Sequence, residues 1–216
     1  MAIILIFGDS ITFGSADTEG GWAQKLKTGF DKTNEIDRVT KKISGEWCAV
    51  YNLGIPGQTS QDLLERFEFE SEQRIGEDKP ITFIFAIGIN DSRFSQRKKT
   101  NEVVALEFEK NLQKLIKSAK KFSQRIVFVG LTPVDESKTN PIPWNTDCFY
   151  KNESIKKYDS IIQNICNKNN IFFVELFERF KIGYERLLED GLHPNSDGHK
   201  FMFEVIKKFL EEKKLI

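Results

Sequence analysis

The sequence has no excess of charge of either sign. Its 216 residues include 32 lysines and arginines and 32 aspartates and glutamates, so the formal net charge is zero. Binding to nucleic acid depends on basic side chains that displace counterions from phosphates. We therefore expect no nucleic-acid partner. The length fits one soluble globular domain, which we expect to span residues 1–216.

Cysteine and long apolar runs are also scarce. Cys48, Cys148 and Cys166 are an odd number of cysteines without a CxxC spacing, which argues against a disulfide framework or a zinc knot. No apolar run approaches the ~20 residues of a transmembrane helix. The first ten residues, MAIILIFGDS, lack the charged segment and cleavage site of a secretion signal. We therefore expect a cytoplasmic protein that does not insert into a membrane.

Histidine is rarer still, with only His193 and His199. They are six residues apart, across a proline and a predicted helix start, and no HExxH motif or carboxylate cluster accompanies them. This spacing argues against a metal centre. Neither GxGxxG nor GxxxxGK[ST] occurs, which disfavours a flavodoxin-like nucleotide or flavin binder. We expect no cofactor and no metal.

Apolar and amphipathic segments alternate along the chain. The apolar segments, rich in Ile, Val and Phe, have the pattern of buried strands and cover residues 2–7, 48–53, 81–87, 125–131 and 171–176. Segments that we predict as helices cover residues 22–30, 61–74, 103–122, 154–167 and 196–212. This alternation predicts an α/β fold in which helices cover both faces of a five-stranded parallel sheet, as a three-layer α/β/α sandwich.

Two polar stretches, residues 31–44 and 133–150, are predicted as long loops. The second follows the fourth strand and carries Trp144, Phe149 and Tyr150. Open parallel sheets bind ligands at the carboxyl ends of their strands. We therefore expect the loop 133–150 to lie on the functional edge of the sheet.

Three strand ends carry groups that can donate hydrogen bonds. Ser10 follows the first strand, Gly54 ends the second, and Asn90 follows the third. A serine at a strand end is a candidate nucleophile if a base reaches it. The backbone N–H groups of Ser10 and Gly54 and the side-chain amide of Asn90 would form an oxyanion hole if they converged on one oxygen.

The candidate base is His193, in the sequence Asp190-Gly-Leu-His193-Pro194. A residue before proline is disfavoured in helical geometry, so His193 is expected on an extended loop that enters the last helix. Asp190 lies three positions earlier, and the loop can fold its carboxylate onto one ring nitrogen. The other nitrogen would then face Ser10, which gives a Ser10–His193–Asp190 triad.

These four segments, GDSITFG, Gly54, GIND and DGLH, resemble in order the four blocks of the SGNH hydrolases, also called GDSL-type esterases and lipases. The resemblance covers residues 8 to 193. It implies the three-layer, flavodoxin-like SGNH hydrolase fold, the triad Ser10, Asp190 and His193, and oxyanion donors from Ser10, Gly54 and Asn90. The first block departs modestly from the family pattern at Ile11 and Thr12, which carry no chemistry.

Other residues near these blocks have competing interpretations. Asp9, Phe94 and Trp144 are candidate substrate-binding residues, although Asp9 fits a turn-shaping role and loop aromatics often pack on their own loop. Gly54 and Gly57 both fit ordinary turn geometry, and the predicted function needs only the N–H of Gly54. Asn90 fits a turn cap as well as an oxyanion donor. His199, in the first turn of the last helix, is expected to be neutral and to pack or hydrogen-bond.

The resemblance implies a serine esterase, and we expect its substrate to be a small soluble acyl or acetyl ester. Thioesters, lysophospholipids and acetylated carbohydrates are alternatives for the same triad. A non-catalytic binding module of the same fold is an alternative of another class.

Overall fold

The computed structural model describes residues 2–40, 48–76 and 79–216. For residues 33–40 it describes the backbone only. Eight strands form within this part of the chain: β1 (Ala2–Gly8), β2 (Cys48–Gly54), β3 (Ile81–Ala86), β4 (Phe94–Ser95), β5 (Thr100–Asn101), β6 (Arg125–Val129), β7 (Cys148–Phe149) and β8 (Phe172–Val174). The helices there are α1 (Ser10–Phe13), α2 (Gly21–Thr40), α3 (Ser60–Glu72), α4 (Ala105–Ala119), α5 (Glu136–Thr139), α6 (Asn152–Asn169), α7 (Phe177–Phe180), α8 (Tyr184–Leu187) and α9 (Ser196–Glu212).

Five of the strands form one parallel sheet in the order β2-β1-β3-β6-β8. Helix α2 packs against α9, while α3 packs against α4 and α4 against α6. The two helix groups form separate layers around the sheet, as expected when strands are buried on both faces. The predicted five-stranded parallel α/β/α fold is therefore confirmed. Because β1 pairs with both β2 and β3, the ends of these three strands are neighbours.

The core of the sheet is built largely from phenylalanine. Phe7 on β1 stacks on Phe85 of β3 with ring centroids 5.9 Å apart, and Phe67 of α3 meets Phe7 edge-on at 5.1 Å. All three rings are fully buried. Each such aromatic pair adds about 0.5–1.5 kcal/mol beyond the burial of its surface. These contacts hold β1, and so the turn that follows it, against β3 and α3.

Two loop predictions need correction. The predicted loop at 31–44 is wrong through residue 40, because α2 continues to Thr40; residues 41–44 lie outside the described part. An ion pair between Lys27 and Asp31, four residues apart, spans the predicted helix end. The stretch from 31 to 40 also contains neither glycine nor proline, the strongest helix-breaking residues.

The predicted loop 133–150 is partly ordered into α5 and β7. Strand β7 joins β4 and β5 in a small antiparallel sheet. Strands of two residues are too short to show an alternating pattern, so the sequence did not indicate this sheet. Its effect is to hold the loop close to the segment that follows β3. Among the described residues, no helix is both long and apolar enough to cross a membrane.

Candidate active site

Ser10 lies in a tight turn between β1 and α1. Asp9 caps the helix, because its Oδ1 accepts the N–H of Ile11 at 3.0 Å. A Cβ at Gly8 would lie 2.1 Å from Oγ1 of Thr12 and 2.5 Å from the carbonyl oxygen of Ala86, so only glycine fits before the turn. The chain thus reverses directly at the strand end and places Ser10 at the carboxyl edge of the sheet.

The loop from Asp190 to Pro194 brings a histidine to this serine. Nε2 of His193 lies 3.0 Å from Oγ of Ser10, across 183 positions of sequence. On the other side of the ring, Nδ1 lies 2.7 Å from Oδ2 of Asp190. The backbone N–H groups of Leu192 and His193 donate to Oδ1 of Asp190 at 2.9 and 2.7 Å. The carboxylate therefore shapes the loop and orients the ring together.

The ionised carboxylate of Asp190 sets the tautomer of the His193 ring. Partial burial opposes ionisation, but the hydrogen bonds from the His193 ring and from two backbone N–H groups lower the pKa of Asp190 to about 2. An ionised carboxylate only accepts, so Nδ1 of His193 carries the hydrogen that it donates. Nε2 is then unprotonated in the neutral ring and accepts from the Ser10 hydroxyl. This arrangement can remove the serine proton.

Asn90, which follows β3, is buried beside the turn that follows β2. Its Nδ2 donates to the carbonyl oxygen of Gln58 at 2.9 Å, and its Oδ1 accepts the hydroxyl of Tyr150 at 2.7 Å. An amide has two N–H groups, and within the described part of the chain the second one has no acceptor. Asn90 therefore keeps one donor available.

The backbone N–H of Gly54, predicted as an oxyanion donor, already donates a hydrogen bond within β2. On a strand, successive N–H groups point to opposite sides, and the next one, that of Ile55, donates to the carbonyl of Gly8 on β1 at 3.0 Å. The N–H of Gly54 thus faces the outer side of β2, where it donates to Oδ1 of Asn52 at 3.1 Å. Gly54 instead has a packing role, because a Cβ there would lie 2.3 Å from the backbone nitrogen of Phe13.

Gly57 offers a donor that the sequence reasoning attributed only to turn geometry. It has a φ of +80° in the turn after β2, and a Cβ there would have no neighbour within 4 Å. Within the described residues its N–H has no acceptor. Arg66 holds the turn by donating to Oε1 of Gln58 and to the carbonyl of Leu53, both at 2.7 Å. The signal available in the sequence was a second glycine three positions beyond the strand end.

The remaining predicted site residues fall at different distances from the triad. The ring of Trp144 lies nearly parallel to that of His193, with centroids 6.3 Å apart, and more than half of the Trp144 side chain is exposed. Phe94 lies in β4, packs edge-on against Phe149 and lines a groove of about 330 Å³ to which no triad residue contributes. Trp144 therefore borders the site, and Phe94 belongs to the neighbouring small sheet.

Asp9 and His199 have structural contacts. Asp9 is buried, which raises its pKa to about 7 despite its hydrogen bond from the Ile11 N–H. Nδ1 of His199 accepts the N–H of Trp22 at 3.3 Å, and its Nε2 lies 3.1 Å from the carbonyl of Ser15. A ring that accepts on one nitrogen and donates on the other is neutral, and burial lowers the pKa of His199. The predicted hydrogen-bonding role of His199 is confirmed.

Several known proteins are similar to this chain over almost its whole length. The mouse isoamyl acetate-hydrolyzing esterase 1 homolog is 22% identical over 97% of this chain and 82% of its own length. A lipase/acylhydrolase from Enterococcus faecalis has a TM-score of 0.72 at 22% identity and covers 99% of this chain and 97% of its own. An acetylxylan esterase from Geobacillus stearothermophilus has a TM-score of 0.67 at 23% identity, covering 98% and 93%.

The solved structures share the fold of this chain, as their TM-scores show. The family model described as GDSL-like lipase/acylhydrolase matches residues 4–206, a span that includes β1, the Asp190–Pro194 loop and most of α9. This match includes every residue of the site described above. The chain therefore belongs to the GDSL-like lipase/acylhydrolase family of ester hydrolases.

Proposed function

We propose that this protein hydrolyses carboxylic esters through an acyl intermediate on Ser10. The observation that carries the proposal is the unbroken chain of contacts from Asp190 through His193 to Ser10, with distances of 2.7 and 3.0 Å. Nucleophile, base and orienting carboxylate stand in the order that serine hydrolysis requires. Membership of an ester hydrolase family supports the same conclusion.

In the first half of the reaction, Oγ of Ser10 attacks the carbonyl carbon of the ester while its proton passes to Nε2 of His193. Asp190 stabilises the resulting imidazolium without taking its proton. The tetrahedral intermediate collapses, the bond to the alcohol oxygen breaks, and His193 gives the proton to the departing alkoxide. An acyl-Ser10 ester and a free alcohol result.

The second half repeats these steps with water. His193 takes a proton from the water as it attacks the acyl carbon, and then returns a proton to Oγ as the bond to Ser10 breaks. The products are the carboxylic acid and the original serine. No group other than the ester and water is consumed.

The oxyanion that forms in both halves needs hydrogen-bond donors. We assign them to the N–H of Ser10, the N–H of Gly57 and Nδ2 of Asn90, with Gly57 replacing Gly54 for the reasons of geometry given above. The Ser10 N–H opens α1 and so has no acceptor within that helix. Each donor aimed at the developing charge is worth about 3 kcal/mol of barrier reduction.

We propose a small acyl ester, with acetyl as the acyl group, as the substrate. The names of two compared proteins support this choice, because isoamyl acetate and acetylxylan are both acetate esters. The exposed ring of Trp144 beside His193 offers an apolar surface at which the alcohol part of such an ester would rest. Thioesters, lysophospholipids and sugar acetates remain alternatives that the same chemistry serves. The expected cytoplasmic location stays a prediction.

The decisive experiment compares Ser10→Ala with the unchanged protein on p-nitrophenyl acetate. We expect kcat to fall at least ~10³-fold, since the residual rate comes only from the oxyanion donors and binding. Ser160→Ala removes an exposed serine of α6 and is the matched control, with an unchanged rate expected. A wild-type rate in Ser10→Ala would overturn the proposal. Ligand binding without labelling of Ser10 by a fluorophosphonate would support a non-catalytic binding module instead.

A further inference from the structure

Tyr150 is the last residue of the loop 133–150, and its side chain contacts Asn90. Its side chain is only 2% exposed. Its backbone is fixed on both sides, since its N–H donates to the carbonyl of Thr139 and its own carbonyl accepts the Thr139 hydroxyl, each at 3.0 Å. These two backbone contacts position the phenol hydroxyl 2.7 Å from Oδ1 of Asn90.

The direction of this hydrogen bond follows from the groups around it. Burial raises the pKa of Tyr150, so the phenol keeps its hydrogen at neutral pH. The guanidinium of Arg93 lies beside the phenol and can only donate, so it cannot accept that hydrogen. The hydrogen is donated to Asn90, which must present its oxygen to Tyr150.

The other contact of Asn90 selects the same orientation. The carbonyl oxygen of Gln58 only accepts, so the atom of Asn90 that lies 2.9 Å from it must be the nitrogen. Rotating the amide by 180° would place two oxygens against each other at Gln58. Tyr150 and Gln58 together leave one orientation of the amide, in which the second N–H of Nδ2 is directed away from both partners.

We propose that Tyr150 is a positioning residue for the oxyanion donor Asn90. The proposal rests on the function proposed above. Electrostatic stabilisation of a transition state depends on donors that are oriented before the charge develops, because reorienting them during the reaction costs part of their effect. Tyr150 supplies this orientation to the Asn90 amide from the buried side, without contacting the substrate. Its loss would leave the donor present but oriented only by the contact of Nδ2 with the carbonyl oxygen of Gln58.

The test replaces the hydroxyl alone, with Tyr150→Phe. We expect kcat on p-nitrophenyl acetate to fall roughly tenfold with KM within about twofold, because the missing group acts on the transition state and not on substrate binding. Tyr158→Phe is the matched control. Tyr158 is equally buried and its hydroxyl donates to the carbonyl of Val103 at 2.5 Å, away from the triad. Its loss should leave kcat unchanged.

A double-mutant cycle separates positioning from a general loss of structure. In an Asn90→Ala background the donor is already absent, with kcat down on the order of 10²-fold, so adding Tyr150→Phe should have no further effect. Titration of active serines with a fluorophosphonate gives kcat per folded site, so a variant that folds incompletely is still measured. Independent, additive effects of the two substitutions would overturn the proposal.

The outcomes also separate this inference from the proposed function. If Ser10→Ala keeps the wild-type rate, the proposed function fails, whatever Tyr150 does. If Ser10→Ala is inactive while Tyr150→Phe has the same kcat as Tyr158→Phe, only the positioning role fails. Inactive Ser10→Ala together with a selective, non-additive loss in Tyr150→Phe supports both.

Discussion

Asp190 contacts His193 at two points, with Oδ2 on the ring nitrogen Nδ1 and Oδ1 on the backbone N–H, each at 2.7 Å. One carboxylate thus fixes both the ring and the peptide that carries it. Because its two oxygens have different partners, shaping the loop and choosing the ring tautomer can be separated by replacing one oxygen with nitrogen.

Asp190→Asn makes this separation. The amide oxygen of the new asparagine can keep accepting the N–H groups of Leu192 and His193, so the loop should persist. Its NH₂ would then face Nδ1 of His193, which must accept, and the ring hydrogen moves to Nε2. A protonated Nε2 cannot take the proton of Ser10, so we expect kcat to fall roughly 10⁴-fold with an unchanged melting temperature.

Steady-state kinetics with p-nitrophenyl acetate and a thermal melt check this expectation. Glu189→Gln is the control, because it removes one exposed negative charge from the neighbouring residue without touching the triad. A loss of less than tenfold in Asp190→Asn would show that tautomer control is not what Asp190 contributes.

Gly54→Ala is predicted to act on stability. The added Cβ would lie 2.3 Å from the backbone nitrogen of Phe13, and backbone cannot move aside as a side chain can. We expect a loss of about 1–3 kcal/mol in the free energy of unfolding, measured by urea denaturation. At Gly29, inside α2, a Cβ has no neighbour within 4 Å, so Gly29→Ala should be neutral or stabilising by ~0.5–1 kcal/mol. Equal effects of the two substitutions would contradict the packing role of Gly54.

The sheet was predictable because its strands are buried on both faces and therefore appear as uninterrupted apolar segments. The triad was predictable for a different reason. Ser10 and His193 lie near opposite ends of the chain, but each lies beside a residue pattern that marks the end of an element. Ser10 follows the end of β1, and His193 precedes Pro194. With only two histidines in the chain, few pairings were possible.

The oxyanion donors were less predictable. Whether a glycine N–H faces the site or the outer edge depends on which N–H of β2 pairs with β1, and residue spacing does not encode that register. The contact between Asn90 and Tyr150 could not be predicted from the sequence either. Tyr150 lies at the end of a loop whose path depends on α5 and the small sheet. Backbone direction and long-range loop contacts are properties of the assembled fold.

Trp144→Ala tests the surface beside His193. The ring is 56% exposed, so its removal should change the free energy of unfolding by less than ~0.5 kcal/mol. If the alcohol part of the ester rests on this ring, kcat/KM for an apolar acetate such as isoamyl acetate should fall roughly three- to tenfold, mainly through KM. Ile182→Ala, which removes an 86% exposed apolar side chain elsewhere, is the control. Unchanged kinetics in Trp144→Ala would remove Trp144 from the substrate site.

The buried His199 gives the protein a pH dependence that can be isolated. Its folded-state pKa lies below the ordinary value of 6.5, because burial disfavours the charged ring. The unfolded chain therefore takes up a proton before the folded one does as the pH falls. The stability that neutral His199 contributes is complete above pH 6.5 and is lost below it, at up to about 1.4 kcal/mol per pH unit, until the folded ring also titrates.

His199→Asn removes this titration while leaving an oxygen that can accept the N–H of Trp22, as Nδ1 now does. Asp9, whose pKa is raised to about 7, and Asp91, raised to about 6, titrate in the same range but are present in both proteins. Their effects cancel in the difference between wild type and variant. Urea unfolding at pH 7.5, 6.5 and 5.5 should show the wild type losing stability relative to His199→Asn as the pH falls. If the difference in the free energy of unfolding stays the same at all three pH values, the His199 ring takes up a proton as readily in the folded protein as in the unfolded chain. That result would contradict the prediction.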